Sequence, residues 1–197
     1  MKPFRLGLTG SIGMGKSTTA GFFADLGLPI WDADAAVHRL YARGGAAVAP
    51  LAALHPAAAR HGGLDRAALN AWIAADAAVL SRIEAIVHPL VASDRDAFLA
   101  DATADIVILD IPLLFEKAMQ ATVDATLLVT APLRLQRARV LARPGMTPTQ
   151  FQTLLARQMP DAEKRFRATH IVETLSLAST RAYVQALVAH IREVGDA

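Results

Sequence analysis

The run Gly10-Ser-Ile-Gly13-Met-Gly15-Lys16-Ser17 constrains this chain more than any other feature. It follows the apolar stretch Phe4-Arg5-Leu6-Gly7-Leu8-Thr9 and precedes a helix-forming segment, Ser17 to Leu26, that Gly27 and Pro29 close. The spacing is G-x-x-x-x-G-K-[ST], in the strand-to-helix context that gives it meaning. Glycines let backbone N–H groups turn inward around phosphate oxygens, and a helix start adds partial positive charge. Lys16 then reaches the outer phosphates of a nucleotide, and the Ser17 hydroxyl is placed to ligate Mg2+. Gly10, Ser11, Ile12, Gly13, Met14, Gly15, Lys16, Ser17 and Thr18 are accordingly read as the seat of ATP.

The rest of the chain supplies the frame such a loop needs. Pro29-Ile30-Trp31 reads as a second short strand that runs into Asp32-Ala33-Asp34 and a helix through Leu40. From Gly44 to about Asp105 the pattern is alanine-rich and helical, with Leu69, Ile73, Leu80, Ile83 and Ile86 recurring near three- or four-residue intervals. Because the residue before a proline avoids the helical region, one helix is expected to end at His88 and another to begin at Pro89. Ile106 to Asp110 is a continuous apolar run ending in a carboxylate, as in a strand buried on both faces, and Asp124 to Thr130 is another. Pro132 opens a helix carrying Arg134, Arg137, Arg139 and Arg143 that stops at Pro144-Gly145; a polar helix follows from Pro148 to about Met159. Ile171-Val172 reads as the last strand, and Val184, Leu187, Val188 and Ile191 mark an amphipathic closing helix. Strands alternating with helices indicate α/β architecture: a parallel sheet with helices on both faces.

Composition narrows the function. A chain of 197 residues with 53% apolar and 19% charged residues is expected to form one domain with elaborations, far from the disordered class. Zero cysteines exclude a disulfide framework, a thiolate metal site and a Cys nucleophile, and fit a reducing, cytoplasmic setting. No run is long and apolar enough to suggest a membrane span or a secretory signal. A net charge of +2 and 6% aromatic residues, with no basic stripe interleaved with aromatics, argue against nucleic acid as a partner.

Three further groups carry chemistry. Asp32 and Asp34 lie at a strand's carboxyl end, the edge where open α/β sheets bind ligands; alone such a pair reads as a helix N-cap or a solvated turn, but beside the phosphate loop one can accept a proton from an acceptor hydroxyl while the other helps hold Mg2+ through water. Asp110 ends the central apolar strand, either as a capping carboxylate or as an acid that assists the metal. The arginines between Arg137 and Arg167 suit a mobile lid over transferring phosphate better than a solvated face, with Arg143 and Arg157 as the leading candidates and Pro144-Gly145 as hinge.

Taken together, these residues resemble the dephospho-CoA kinase family. The resemblance runs through Gly7-Leu-Thr-Gly-Ser-Ile-Gly-Met-Gly-Lys-Ser-Thr18, Asp32-Ala-Asp34 with His38, and Leu64-Asp65-Arg66 with Leu69. It continues through Ile83-Glu-Ala-Ile-Val-His88-Pro89, Pro112-Leu-Leu-Phe-Glu116, and Gln158-Met159 followed by Glu163-Lys164-Arg165, so it covers about Arg5 to Val172. It implies a P-loop NTPase-type, parallel five-stranded sheet in a single kinase unit over 1–197. The core would comprise about 1–43, 105–136 and 168–197, with a helical acceptor-binding insertion at about 44–104 and a helical lid at about 137–167. The implied activity is ATP-dependent phosphorylation of the ribose 3'-hydroxyl of dephospho-CoA, by a monomer or small homo-oligomer. Asp34 would then be the catalytic base, acting with Lys16 and Arg143; Arg143 and Arg157 would contact ATP. Asp32, Asp34, His38, His88, Leu113, Leu114 and Glu116 would face the acceptor, and Ser17 would hold Mg2+ with Asp32 or Asp110 assisting through water. Two departures stand out: Ser11 and Met14 replace a more usual glycine and small polar residue, and Thr174 stands where the family commonly has Asn.

Overall fold

A computed structural model describes residues 2–195. In chain order the elements are β1 (Phe4–Thr9), α1 (Lys16–Asp25), β2 (Ile30–Asp32), α2 (Ala33–Tyr41), α3 (Val48–Leu54), β3 (Ala59–Arg60), β4 (Gly63–Leu64), α4 (Arg66–Ala75), α5 (Ala78–Asp101), β5 (Ile106–Asp110), β6 (Ala125–Thr130), α6 (Leu133–Leu141), α7 (Pro148–Ala156), α8 (Asp161–Arg167), β7 (His170–Glu173) and α9 (Leu177–Gly195). Contacts divide them into two compact units, one running up to Trp31 and from Ala102 onward, the other spanning Asp32–Asp101.

The first unit is built on a parallel five-stranded sheet in the order β2-β5-β1-β6-β7. β1 lies between β5 and β6, with Leu8 opposite both Asp110 and Leu127. Every residue of β5 and β6 is buried, the reason neither alternates apolar with charged positions. On one face Leu6, Leu8, Ile108, Leu127 and Val129 join Phe23 of α1 and Val184 and Val188 of α9 in a common core. The register places Asp110 two positions beyond Ile108 at the carboxyl edge, beside the strand that feeds the glycine-rich loop.

The second unit has its own core, in which Leu40, Leu51, Leu69, Val79, Ile83 and Val87 meet. Asp65 caps α4 by accepting from the N–H groups of Ala67 (2.8 Å) and Ala68 (3.2 Å), which explains the helix start just after Leu64. Arg39 of α2 donates to Asp94 of α5, with one bond of 3.2 Å.

One expectation is overturned here. His88 does not end a helix: α5 runs from Ala78 to Asp101 with Pro89 inside it. Proline forfeits one helical hydrogen bond and crowds the carbonyl four residues back, yet Pro89 lies on the exposed side. Ile83 and Val87 before it, and Leu90 and Val91 after it, all pack on the same core, and that burial carries the helix through. The short antiparallel pair β3–β4 interrupts a stretch expected to be helical throughout, and α8 is a further helix inside the expected lid, beyond the one expected to end near Met159. Among the described residues, no helix is long and apolar enough to cross a membrane.

Candidate active site

The loop between β1 and α1 is held open by its glycines. Gly13 and Gly15 take φ of +76° and +94°, where side chains with a Cβ are strained. A Cβ on Gly13 would also run into Val140 and stand 3.1 Å from the carbonyl oxygen of Gln136, and one on Gly10 would stand 2.6 Å from that of Val129. Gly15 is the N-cap of α1 and supplies no side-chain cap. The first N–H groups of the helix, at Lys16, Ser17 and Thr18, therefore face out of its end with no acceptor from the helix itself. Ser17 and Thr18 are exposed. Lys16 is half-buried, and its ammonium is paired with the carboxylate of Asp110, which is buried at the end of β5.

Side chains distant in sequence brace the loop. Gln136 of α6 donates to the Ile12 carbonyl at 2.8 Å, and Gln158, just beyond α7, accepts the Ile12 N–H at 3.1 Å. Buried Thr174 donates its hydroxyl to the Met14 carbonyl at 2.8 Å. Arg139 grips Thr174 in turn, at its hydroxyl (2.8 Å) and its carbonyl (2.7 Å). The departure at Thr174 thus falls on a residue that supports the phosphate loop. Gln136, Arg139 and Thr174 were not singled out from sequence for this task; the only signal was that Thr174 occupies a position of the resembled family's motif.

Beside the loop is a cavity of about 590 Å3 whose walls include Ser11, Met14, Leu133, Gln136, Leu155 and Met159. Arg143 is exposed just beyond α6, two residues before Gly145 (φ +75°), which turns the chain toward α7, and Arg157 is exposed as the C-cap at the far end of α7. Arg165 is committed elsewhere: it donates to Asp161 at 2.7 Å, which raises its pKa, and also approaches Glu173.

The segment after β5 packs back on the core. Thr9 donates to the Pro112 carbonyl at 3.1 Å, Leu114 is fully buried, and Leu113 is partly exposed. Glu116 accepts the Met159 N–H at 2.9 Å, and its Oε1 lies 2.8 Å from Nζ of the fully buried Lys164. Burial works to raise the Glu116 pKa, but the bonds from Lys164 and Met159 outweigh it and hold the carboxyl below its ordinary range.

In the helical unit Asp32 caps α2, accepting the Ala35 N–H at 2.8 Å, and Asp34 is exposed in the first turn of that helix. His38, on the same helix, has Nδ1 3.2 Å from the guanidinium of Arg66. A cavity of about 370 Å3 is lined by Val37, Tyr41, Arg66, Leu69, Asn70 and Ile73, among others. Burial raises the Tyr41 pKa, against the opposing charge of Arg66. His88 is exposed on α5, 3.8 Å from Glu84.

A glycine-rich loop at the carboxyl edge of a parallel sheet, with a lysine at the helix start and an acid on the neighbouring strand, defines a nucleotide-binding protein of the P-loop class. A family model, CoaE, described as dephospho-CoA kinase, matches residues 4–178, and the chain belongs to this family. A dephospho-CoA kinase of Cereibacter sphaeroides is 69% identical over 197 residues, covering 100% of both chains. The crystal structure of TT1252 from Thermus thermophilus aligns with TM-score 0.86 and 38% identity over 96% of this chain and 98% of that one. Dephospho-CoA kinase from Campylobacter jejuni, at 20% identity, shares the fold with TM-score 0.73 over 97% of this chain and 98% of its own.

Proposed function

We propose that this chain transfers the γ-phosphoryl group of ATP to the ribose 3'-hydroxyl of dephospho-CoA, giving coenzyme A and ADP, the final step of coenzyme A synthesis. The observation that carries the proposal is the phosphate loop itself: N–H groups at the start of α1, Lys16 at its first residue and Asp110 on the next strand, in a chain of this family. Asp34 takes the proton from the 3'-hydroxyl as its oxygen attacks the γ-phosphorus, while the bond from that phosphorus to the β–γ bridging oxygen breaks and ADP leaves. Lys16 balances charge on the outer phosphates; Arg143 and Arg157, on a lid spanning about 137–167, add guanidinium forks to the phosphoryl group as it moves.

The donor chemistry fits Mg2+, which retains waters and takes only one or two protein oxygens beside phosphates. Ser17 would hold it, with Asp32 or Asp110 assisting through water, and no described residues form the cluster of three or more metal-ligating side chains that a dedicated protein cage would need. Bound there, the ion would neutralise charge shared between the β- and γ-phosphates. The helical unit receives the acceptor, a role that suits the mostly apolar cavity with Arg66 on its wall. His38, His88, Leu113, Leu114 and Glu116 complete the acceptor-side assignment. The site of action is the cytoplasm, as a monomer or small homo-oligomer, with no nucleic-acid partner.

The test is a coupled assay of ADP release with Mg-ATP and dephospho-CoA, run beside shikimate, gluconate and nucleosides as alternative hydroxyl acceptors. ADP release and coenzyme A formation only with dephospho-CoA support the proposal. Turnover of another acceptor in its place overturns it.

A further inference from the structure

Ile12 is held at both of its backbone groups by glutamines from opposite ends of the arginine-bearing segment. Gln136, 2% exposed at the root of α6, donates to its carbonyl, and Gln158, past the end of α7, accepts its N–H. A trans peptide is planar, and its C=O and N–H point in opposite directions; no peptide bond among the described residues is cis. Fixing the Ile12 carbonyl on Gln136 therefore aims the Gly13 N–H to the other side. Fixing the Ile12 N–H on Gln158 aims the Ser11 carbonyl to its other side, where it accepts the Met14 N–H at 3.2 Å. Two consecutive peptide planes at the entrance of the loop are set by two side chains.

Gln158 has no regular element of its own, since α7 ends at Ala156 and α8 begins at Asp161. Its neighbour Met159 is tied down instead, through the N–H bond to Glu116, whose Oε1 also meets buried Lys164. The chain of contacts runs from Lys164 to Glu116, to the Met159 backbone, to Gln158, to Ile12.

We propose that Gln158 is a positioning residue for nucleotide binding, which keeps the Ser11–Ile12 peptide from turning its carbonyl toward the phosphates, and that Glu116, anchored by Lys164, sets the place of Gln158. This rests on the phosphoryl-transfer reading above. It gives Glu116 a task on the nucleotide side of the reaction.

The test is a set of variants read by ADP titration calorimetry and by KM for each substrate. Gln158→Met keeps length and removes the acceptor. Loss of one neutral hydrogen bond corresponds to about 2- to 12-fold weaker ADP binding, with a matching rise in KM for ATP, while KM for dephospho-CoA stays within about twofold on the same scale. Glu116→Gln with Lys164→Met retains an acceptor for the Met159 N–H and is expected to bind ADP more tightly than the variant that lacks one. Glu116→Leu with Lys164→Met removes that acceptor and is expected to weaken ADP as Gln158→Met does, with no further loss when the three substitutions are combined. Unchanged ADP affinity in Gln158→Met, equal rises in both KM values in that variant, or additive losses in the combined variant would each overturn the proposal. If the wild-type chain binds no ADP, the phosphoryl-transfer reading falls and takes the proposal with it; normal wild-type binding with unaltered variants removes the proposal alone.

Discussion

The ammonium of Lys16 is ion-paired with the carboxylate of Asp110, across the sheet from Leu8 and at the mouth of the phosphate loop. The pair joins the residue proposed to meet the outer phosphates to one proposed to support a metal. Both side chains are largely withdrawn from water, at 17% and 5% exposure, so neither is indifferent to losing the other.

Lys16→Met is expected to lower turnover by about 100- to 1000-fold, the usual consequence of deleting one preorganised charge from such a site. It also removes the ion-pair partner of a buried carboxylate and is expected to cost about 3–5 kcal/mol of stability. Lys16→Met with Asp110→Asn should recover much of that stability and none of the turnover. Chemical denaturation beside steady-state kinetics separates the two effects.

Asp34→Asn is expected to reduce kcat by about 100- to 10,000-fold while leaving ADP affinity near the wild-type value, because a general base acts on the acceptor's proton and not on the nucleotide. Near-normal single-turnover rates with bound Mg-ATP would remove Asp34 from that role.

Gly13→Ala places a Cβ at φ +76° and against Val140 and the Gln136 carbonyl, so strain and collision act together. Loss of ADP binding in titration is the expected result, with a fall of a few degrees in Tm, corresponding to about 1–3 kcal/mol of strain.

Asp124 accepts two side-chain bonds from Arg5, at 2.6 and 3.0 Å, and these outweigh its burial to hold its pKa below the ordinary carboxylate value. A lowered folded-state pKa stabilises the protein above the unfolded-state value, and the gain disappears as pH falls through the folded-state value. Asp124→Asn should therefore lower Tm at neutral pH, and its difference from the wild type should shrink in titrations below about pH 4.

Pro89→Ala restores a donor to the interior of α5 at an exposed position and is expected to stabilise the chain by about 1–3 kcal/mol. Urea denaturation reads this directly. A loss of stability would show that Pro89 relieves something the helix needs.

How much was legible follows from the range of each signal. The strand Ile106–Asp110 and the loop at Gly10 to Ser17 were readable because an apolar run between breakers and a glycine–lysine spacing are both local. The break expected at Pro89 was the opposite case: a local rule, sound in an isolated segment, overridden by Ile83, Val87, Leu90 and Val91 on a shared core. Asp32 shows both outcomes, since its place at a strand's end was legible while its capping bond to Ala35 competes with any task on a ligand. Glu116 was marked by its motif, but nothing near it in sequence pointed to Lys164.

The order of amino acids by itself determined the chemistry of the loop, the alternation of strands and helices, and the family, since each depends on neighbours within a turn or two of chain. Only the tertiary structure decided what holds that loop in shape. Ile12 and Gln158 are separated by 146 positions, and Met14 and Thr174 by 160. Single polar side chains of this kind leave no periodic trace, and their partners exist only once the sheet and the helices upon it have brought distant segments within hydrogen-bonding reach.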